Sequence, residues 1–247
     1  MSIMEEFFQR WFPAEPCATT DFHRVVGEHL PANGKMLDFG CGDNALMERH
    51  RNEGREVWGA DFGVHPELKH SEWFRPLFPD GSLPFAADTF DVVSSHMVME
   101  HVSESARFFG EIERVLKPGG VYVGQSIHAL HYVVGVRRAF DLLPHRWVQR
   151  LVKKLYGREE HDTFPTCYRV NSRRAIDRAA RAARLELAGW HGYANQGYFM
   201  FSTLVFRQAV RLDWCLEKLR PGLGKIYFTV VLRKPAPVNE LRIPAAA

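Results

Sequence analysis

Asp38, Gly40, Cys41, Gly42 and Asp61 are the residues whose types and spacing bear most directly on chemistry. Gly40-Cys41-Gly42-Asp43-Asn44-Ala45 fits G-x-G-x-x-G/A, a pattern whose small residues let backbone amides approach a ligand at a strand-to-helix turn. Taken alone, the pattern serves nicotinamide dinucleotides, so an NAD(P)-dependent oxidoreductase is one reading. Asp38, two residues before Gly40, separates the alternatives. A carboxylate at the end of the strand would repel a pyrophosphate and attract an ammonium group. The acid therefore favours a ligand with a cationic end. Asp61 stands nineteen residues after Gly42, where a carboxylate can accept both ribose hydroxyls of an adenosine. Its structural alternative is an Asx-turn before Gly63. Phe62 is placed to lie along an adenine ring.

A second set of candidates is rich in histidine, the natural base near neutral pH. His96, Glu100 and His101 follow the apolar run Phe90 to Ser95, at the carboxyl end where ligands sit in open α/β sheets. The competing role for His101 is a helix-start histidine bonded to the backbone. His128, His131 and Tyr132 follow the next apolar run; both histidines are candidate bases toward an acceptor, against simple exposure in a loop. Tyr168 and Arg169, after Asp162-Thr163-Phe164-Pro165-Thr166, are candidates to close over a substrate, against the packing of a cover loop. Arg137 to Arg158 carries seven Arg or Lys against the single acid Asp141. Phe140, Leu143, Trp147, Leu151 and Leu155 make an apolar stripe there, although Pro144 interrupts any single helix. Such a stretch serves as a lid for a greasy or anionic substrate, as a peripheral membrane contact, or as a packed helix with a solvated basic face.

The elements that must position these residues follow from periodicity. Lys35 to Phe39 is a short apolar run before the glycine loop, and Ala45 to Arg51 begins a helix. Glu56 to Ala60 and Phe90 to Ser95 are short, apolar and blunt-ended, as buried parallel strands are, with the turn-rich segment Pro79 to Ala87 between them. From an N-cap at Ser103, Phe108, Phe109, Ile112, Val115 and Leu116 recur at helical spacing until Lys117-Pro118-Gly119-Gly120 ends the helix. Val121 to Gln125 is the next strand. Asn171 or Ser172 caps a helix to about Arg184, Leu185 to Trp190 is a strand, Ser202 to Leu219 a helix, and Lys225 to Leu232 a closing strand. Strands alternating with helices predict an open, doubly wound α/β sheet.

Composition limits the function classes. The 247 residues are 46% hydrophobic and 25% charged, with a formal charge of +3, which suits a soluble domain and gives no reason to expect a nucleic-acid partner. Cys17, Cys41, Cys167 and Cys215 are widely separated, as expected of free thiols in a reducing compartment with no metal site. Met1 to Arg10 is acidic where a signal peptide would be basic, so a cytoplasmic location is expected.

The chain resembles the class I S-adenosylmethionine-dependent methyltransferases, specifically the methyltransferase type 11 group, over residues 35 to 125. Met36-Leu37-Asp38-Phe39-Gly40-Cys41-Gly42 is similar to the first motif and Val57-Trp58-Gly59-Ala60-Asp61 to the second. Leu83-Pro84-Phe85 with Met99-Glu100-His101-Val102, and then Leu116-Lys117-Pro118-Gly119-Gly120, are similar to the segments that follow. The resemblance implies a Rossmann-like seven-stranded, mostly parallel sheet with helices on both faces, its last strand antiparallel, and an irregular insertion over the active site. It implies S-adenosylmethionine as cofactor, S-adenosylhomocysteine as product, Gly40 and Gly42 close to the cofactor, and Asp61 on the ribose. Two positions depart from the pattern. Asn44 stands where the group has glycine, and Asn tolerates positive φ. Asp80, the counterpart of an acid that contacts adenine, lies one position nearer to Leu83 than expected.

The cofactor-binding set expected is then Asp38, Gly40, Cys41, Gly42, Asp61, Phe62, Asp80 and His96. His101, His128 and His131 are the candidate bases, and Tyr132, Tyr168 and Arg169 the candidate substrate contacts. A sulfonium methyl is already activated, so the protein's share is alignment, exclusion of water and, for a hydroxyl acceptor, removal of a proton. The expected acceptor is an oxygen of a small or lipid-like molecule. The competing classes are the nicotinamide enzyme, a catalytically silent scaffold with this fold, and a transfer-RNA methyltransferase. One domain, 1–234, is expected: N-terminal helices to 34, a cofactor core 35–126, a substrate-side insertion 127–170, the rest of the sheet 171–234, then a loose tail 235–247.

Overall fold

The computed structural model describes residues 3–43, 45–63, 68, 71–140, 166–194 and 197–236. Asn44, the stripe from Leu143 to Leu155 with Pro144, residues 162–165 and most of the tail lie outside the described residues, as does the membrane contact expected of 137–158 beyond Phe140.

Helices α1 (Ile3–Trp11) and α2 (Ala18–His29) lead into β1 (Lys35–Phe39), α3 (Ala45–Asn52), β2 (Glu56–Asp61) and β3 (Phe74–Pro76). Then come β4 (Phe90–His96), a 3-10 turn at Met99–His101, α4 (Ser105–Val115), β5 (Leu116–Ile127) and α5 (Tyr132–Phe140). The chain continues through α6 (Arg173–Ala182), β6 (Glu186–Tyr193), α7 (Thr203–Leu219) and β7 (Tyr227–Arg233). Seven strands form one sheet in the order β3-β2-β1-β4-β5-β7-β6. The first five pair in parallel, and β7 runs antiparallel to both β5 and β6.

Alternation along each strand sends successive side chains to opposite faces. On one face Phe22, Val25 and Val26 of α2, with Leu30 just past its end, cover Met36, Val57, Val92, Val123 and Val231. On the other, Phe108, Phe109, Ile112 and Val115 of α4, with Ile176 and Ala180 of α6, cover Leu37, Phe39, Val93, Tyr122 and Val230. Phe109 and Ile112 are wholly buried, so truncating Phe109 to Ala would cost about 3–5 kcal/mol.

Four local features differ from the sequence expectation. The edge strand β3 has only three residues and ends on Pro76, too short for a periodic signal and tolerable only at an edge. Ser103 is not the cap of α4. Glu104 holds that position without a side-chain bond, while the Ser103 carbonyl accepts from Arg169 at 3.3 Å. Lys117-Pro118-Gly119-Gly120 belongs to the β5 ladder, which shifts register between Phe90 and Val92, and Gly119 takes φ +82. Of the two candidate caps of α6, Ser172 accepts from the Ala175 amide at 3.4 Å, whereas Asn171 is turned to Ser126 and Ile127.

Candidate functional site

The carboxyl ends of β1, β2 and β4 meet at the glycine loop. Asp38 is 2% exposed and accepts a hydrogen bond from Ser94 Oγ at 2.9 Å, its register partner on β4. Burial, with Asp61 and Asp43 nearby, pushes its carboxyl up to about 7. A carboxyl so placed is poised to ionise when a cation arrives. Gly40 takes φ +78, and a Cβ there would stand 2.4 Å from Val98 Cγ2, so the turn tolerates no side chain. Its amide donates to the Ala60 carbonyl at 2.7 Å, which ties the loop to β2. Gly42, at φ +54, faces open space.

Asp61 lies directly across from this loop. One carboxylate oxygen accepts from the Gly42 amide at 2.9 Å and the other from the Phe62 amide at 2.7 Å. Phe62 is 70% exposed, and its ring edge approaches Gly81, so the ring spans the space between β2 and the turn before Leu83. Asp80 in that turn is exposed, and its carboxylate accepts from the Ser82 amide at 3.0 Å and hydroxyl at 2.7 Å. That engagement is an Asx-turn made through Oδ1 alone, and the residue of the turn that meets the Phe62 ring is Gly81. Cys41 is buried among the acids, which with burial hold its thiol above the usual range.

Gly40, Asp61 and Phe62 thus stand together at the loop, with Asp38 buried at the end of the strand that leads into it, and Asp38, Asp43 and Asp61 surround the loop. A pyrophosphate would meet Asp38, Asp43 and Asp61 together. A ligand with an ammonium at one end and ribose hydroxyls at the other fits both acids. Among the described residues no cluster of His, Cys, Asp and Glu could hold a metal ion.

His96, two residues beyond Ser94 on β4, continues this face toward the carboxyl edge. Gln125, its register partner on β5, donates from Nε2 to the Ala18 carbonyl at 2.8 Å and to Thr229 Oγ1 at 2.9 Å. The Ala18 carbonyl can only accept, so the amide orientation is fixed and Oε1 remains for the His96 ring, with which Gln125 is hydrogen-bonded. His96 therefore donates to Gln125 and keeps a lone pair on its other nitrogen. Burial, against the Phe22 ring at 5.4 Å, lowers the imidazole to about 4, so it is neutral at pH 7.

The remaining candidates part company. Glu100 is 3% exposed, accepts from Ser126 Oγ and, through its carbonyl, from the amides of Cys167 and Tyr168; burial raises its carboxyl. It fastens the segment at 167–168 to the sheet. His101 is half-buried in the 3-10 turn with its amide on the Val98 carbonyl. The His128 ring packs edge-on to Trp190 and Phe228, on the face covered by α4 and α6, opposite Asp38. His131 is 2% exposed, with Nε2 3.3 Å from Asp213 Oδ1 and Nδ1 facing the Val133 amide at 3.4 Å. The role of base foreseen for His131 does not fit this geometry, because both ring nitrogens face protein groups. Tyr132 directs its hydroxyl to the same carboxylate and is no better placed to touch a substrate. Arg169 is exposed and bound to Ser103. Tyr168, by contrast, gathers with Met97, Val133, Tyr198 and Tyr227 around Ile127 and Ile226, at the carboxyl edge beyond His96. Arg138 lies 5.5 Å over its ring.

Sequence reasoning missed Ser94, Gln125 and Val98. The signal was present for the first two, as polar residues closing apolar strands at the register of Asp38 and His96. A cleft of about 370 Å³ opens behind Leu83-Pro84-Phe85, lined also by Phe78, Glu111 and Arg114; none of the site residues above reaches it.

Comparison with known proteins points the same way. A family model described as "Methyltransferase domain" matches residues 8–188. A ubiquinone biosynthesis O-methyltransferase of Ruegeria pomeroyi is 32% identical over 117 residues, 44% of this chain and 47% of that protein. The enzyme of the same name from Hahella chejuensis is 28% identical over 168 residues, 58% and 70% of the two chains. The chain thus spans about half the length of the first of these relatives. Among solved structures, a putative methyltransferase of Bacillus halodurans superimposes with a TM-score of 0.55 at 15% identity, covering 89% of this chain and 99% of that one. A [4+2]-cyclase, SpnF, superimposes with a TM-score of 0.53 at 18% identity, covering 89% and 81%. These two likenesses concern the fold alone.

Proposed function

Because the chain belongs to the methyltransferase-domain family, we propose that it transfers a methyl group from S-adenosylmethionine to an oxygen of a small aromatic or lipid-like acceptor. The observation that carries the proposal is the acid-lined glycine loop, in which buried Asp38 and facing Asp61 suit the two ends of that cofactor. Asp38 would hold the ammonium group, the Gly40 to Gly42 backbone the methionine tail, Asp61 the ribose hydroxyls, and Phe62 the adenine face. The bound cofactor supplies an electrophilic methyl on a sulfonium.

This chain's own work is then on the acceptor side. His96, expected from sequence as a cofactor contact, takes the role of base instead: neutral and oriented by Gln125, it presents a lone pair at the carboxyl end of β4 and is the group best placed to take a hydroxyl proton. Tyr168, Tyr198, Tyr227 and Met97 offer aromatic and apolar surface beside it, which suits a planar or greasy acceptor and excludes water. The names of the two ubiquinone-biosynthesis relatives support an oxygen acceptor of this kind.

Incubation with methyl-labelled S-adenosylmethionine and a panel of catechols and phenols tests the proposal. Label should enter the ring hydroxyls, and His96→Gln should lower kcat by about 10²-fold or more while leaving cofactor affinity within a factor of two. Cofactor binding without transfer to any acceptor would leave a silent scaffold.

A further inference from the structure

Helix α7 buries Phe206, Ala209, Val210 and Asp213, and packs on α1 through Phe8 and Phe12. Its opposite side is unusual for a helix facing water. Leu204 is 68% exposed, Val205 40%, Leu212 46% and Leu219 80%, and the preceding turn adds Met200 at 50% and Phe201 at 42%. At about 100° per residue, Phe201, Leu204, Val205, Leu212 and Leu219 fall within one sector of about 100°, running roughly 25 Å along the helix. Ile3, at the start of neighbouring α1, is a further exposed apolar side chain, at 69%.

Charge says what covers this face. Arg211, Lys218 and Arg220 are exposed, and Arg207 is half-buried. Arg207 and Arg211 extend over the Phe7 ring and Lys218 over Trp214, so the stems lie on apolar surface. The two acids of α7 are out of play: Asp213 is fully buried, and Glu217 accepts from the amides of Gly222 and Gly224. The neighbouring first turn of α1 carries Glu5 and Glu6, balanced in number by Arg10 and one of the α7 cations. Phe201, Val205, Gln208, Leu212, Cys215 and Leu219 alternate at spacings of four and three, the seam of a paired helix. A second copy laid antiparallel along that seam would bring Arg211 against Lys218 with no free acid on the helix to answer them, and a parallel copy would leave both cations opposite the apolar Ala209 and Leu216, unanswered by any acid of the helix. The covering surface must therefore be apolar and anionic.

We propose that the outer face of α7, with Met200, Phe201 and Ile3, rests on an anionic phospholipid surface. The aliphatic stripe enters the boundary between headgroups and acyl chains, and the basic side chains lie on the phosphates. Among the described residues no helix is long and apolar enough to cross a membrane, so the contact is peripheral. The stripe joins the acceptor side directly. Phe201 packs near Phe199, Phe199 near Tyr198, and Tyr198 near Tyr227, with ring centroids 6.2, 6.4 and 6.1 Å apart. Docking through α7 would set the Tyr168, Tyr198 and Tyr227 cluster at the bilayer surface, where a lipid-like molecule is reached without leaving the membrane.

Co-sedimentation of the full chain with vesicles tests this independently of catalysis. Vesicles of phosphatidylcholine containing phosphatidylglycerol should retain the protein, pure phosphatidylcholine should not, and added salt should release it. Leu204→Ser with Leu212→Ser should weaken retention by on the order of tenfold or more, and Arg211→Glu with Lys218→Glu by on the order of 10- to 100-fold. The two leucines and the two cations are exposed, the cations lying over the Phe7 and Trp214 rings, so thermal unfolding should change little, and unfolding curves of each variant separate a folding defect from lost docking. Failure to bind anionic vesicles would overturn the proposal. So would equal binding by both variants, or loss of a dimer by the Leu204→Ser, Leu212→Ser protein in size-exclusion chromatography with light scattering.

Discussion

Replacing Asp38 by Asn should make the cofactor-free protein more stable and nearly abolish its ability to bind the cofactor. Asp38 is 2% exposed, and its carboxyl rises on folding from the ordinary 3.8 to about 7. The folded chain therefore holds that proton more tightly than the unfolded chain does. Below about pH 3 both states are protonated and the residue is neutral in effect. As the pH climbs from 4 to 7, the unfolded chain ionises freely while the fold resists, so stability is eroded; above 7 the erosion is complete. The interval, at about 1.4 kcal/mol per pH unit, sets a ceiling of about 4 kcal/mol, and about 2–4 kcal/mol is the expected gain. Asn keeps an oxygen for Ser94 and removes the charge. Urea unfolding of the two proteins without ligand should agree within about 0.5 kcal/mol at pH 4 and differ by about 2–4 kcal/mol at pH 8, the variant being the more stable. S-adenosylhomocysteine should reverse the order by stabilising only the original protein. A difference independent of pH, or a variant less stable at pH 8, would refute the reasoning.

The same carboxyl predicts that affinity for S-adenosylhomocysteine falls toward tenfold per pH unit as the pH drops from 7 to 5, measured by calorimetry, and that Asp38→Asn flattens the profile. Gly40→Ala should cost about 2–4 kcal/mol, from positive φ plus collision with Val98; adding Val98→Ala should recover only the collision part in denaturant melts. Asp61→Ala should weaken S-adenosylhomocysteine by about 1–3 kcal/mol, and unchanged affinity would remove the residue from the site. His131→Leu leaves the fully buried Asp213 carboxylate facing only the Tyr132 hydroxyl and should cost about 3–5 kcal/mol in urea unfolding at pH 8. Cofactor affinity should survive that change, and a loss of binding at unchanged stability would contradict the structural role given to His131.

Much of the fold was legible because the central strands are apolar runs with polar ends. Lys35 to Phe39, Glu56 to Ala60 and Phe90 to Ser95 announce the edge where ligands gather, and the strands found match the first and run one residue further in the other two, to Asp61 and His96. Asp38 was legible for a chemical reason: a carboxylate next to a glycine loop has few structural uses and one clear electrostatic meaning. What sequence could not supply was direction. His128, His131 and Tyr132 read as one group of acceptor-facing residues, yet His128 turns to Trp190 and His131 to Asp213, 82 positions away along the chain. Gln125 was visible as a polar residue closing an apolar strand, but its part in orienting His96 was not, because its two donors go to Ala18 and Thr229, contacts made only when α2 and β7 close on β5. Glu100 and His101, adjacent in one motif, are divided by burial into a structural anchor and a half-exposed neighbour.

The central claim is that the acid-lined loop takes a cofactor with a cationic end. Parallel calorimetric titrations of the full chain at pH 8 with S-adenosylhomocysteine and with NADH test it most directly. Saturable, one-to-one binding of S-adenosylhomocysteine with no heat from NADH is the predicted result. Binding of NADH without S-adenosylhomocysteine would contradict the account.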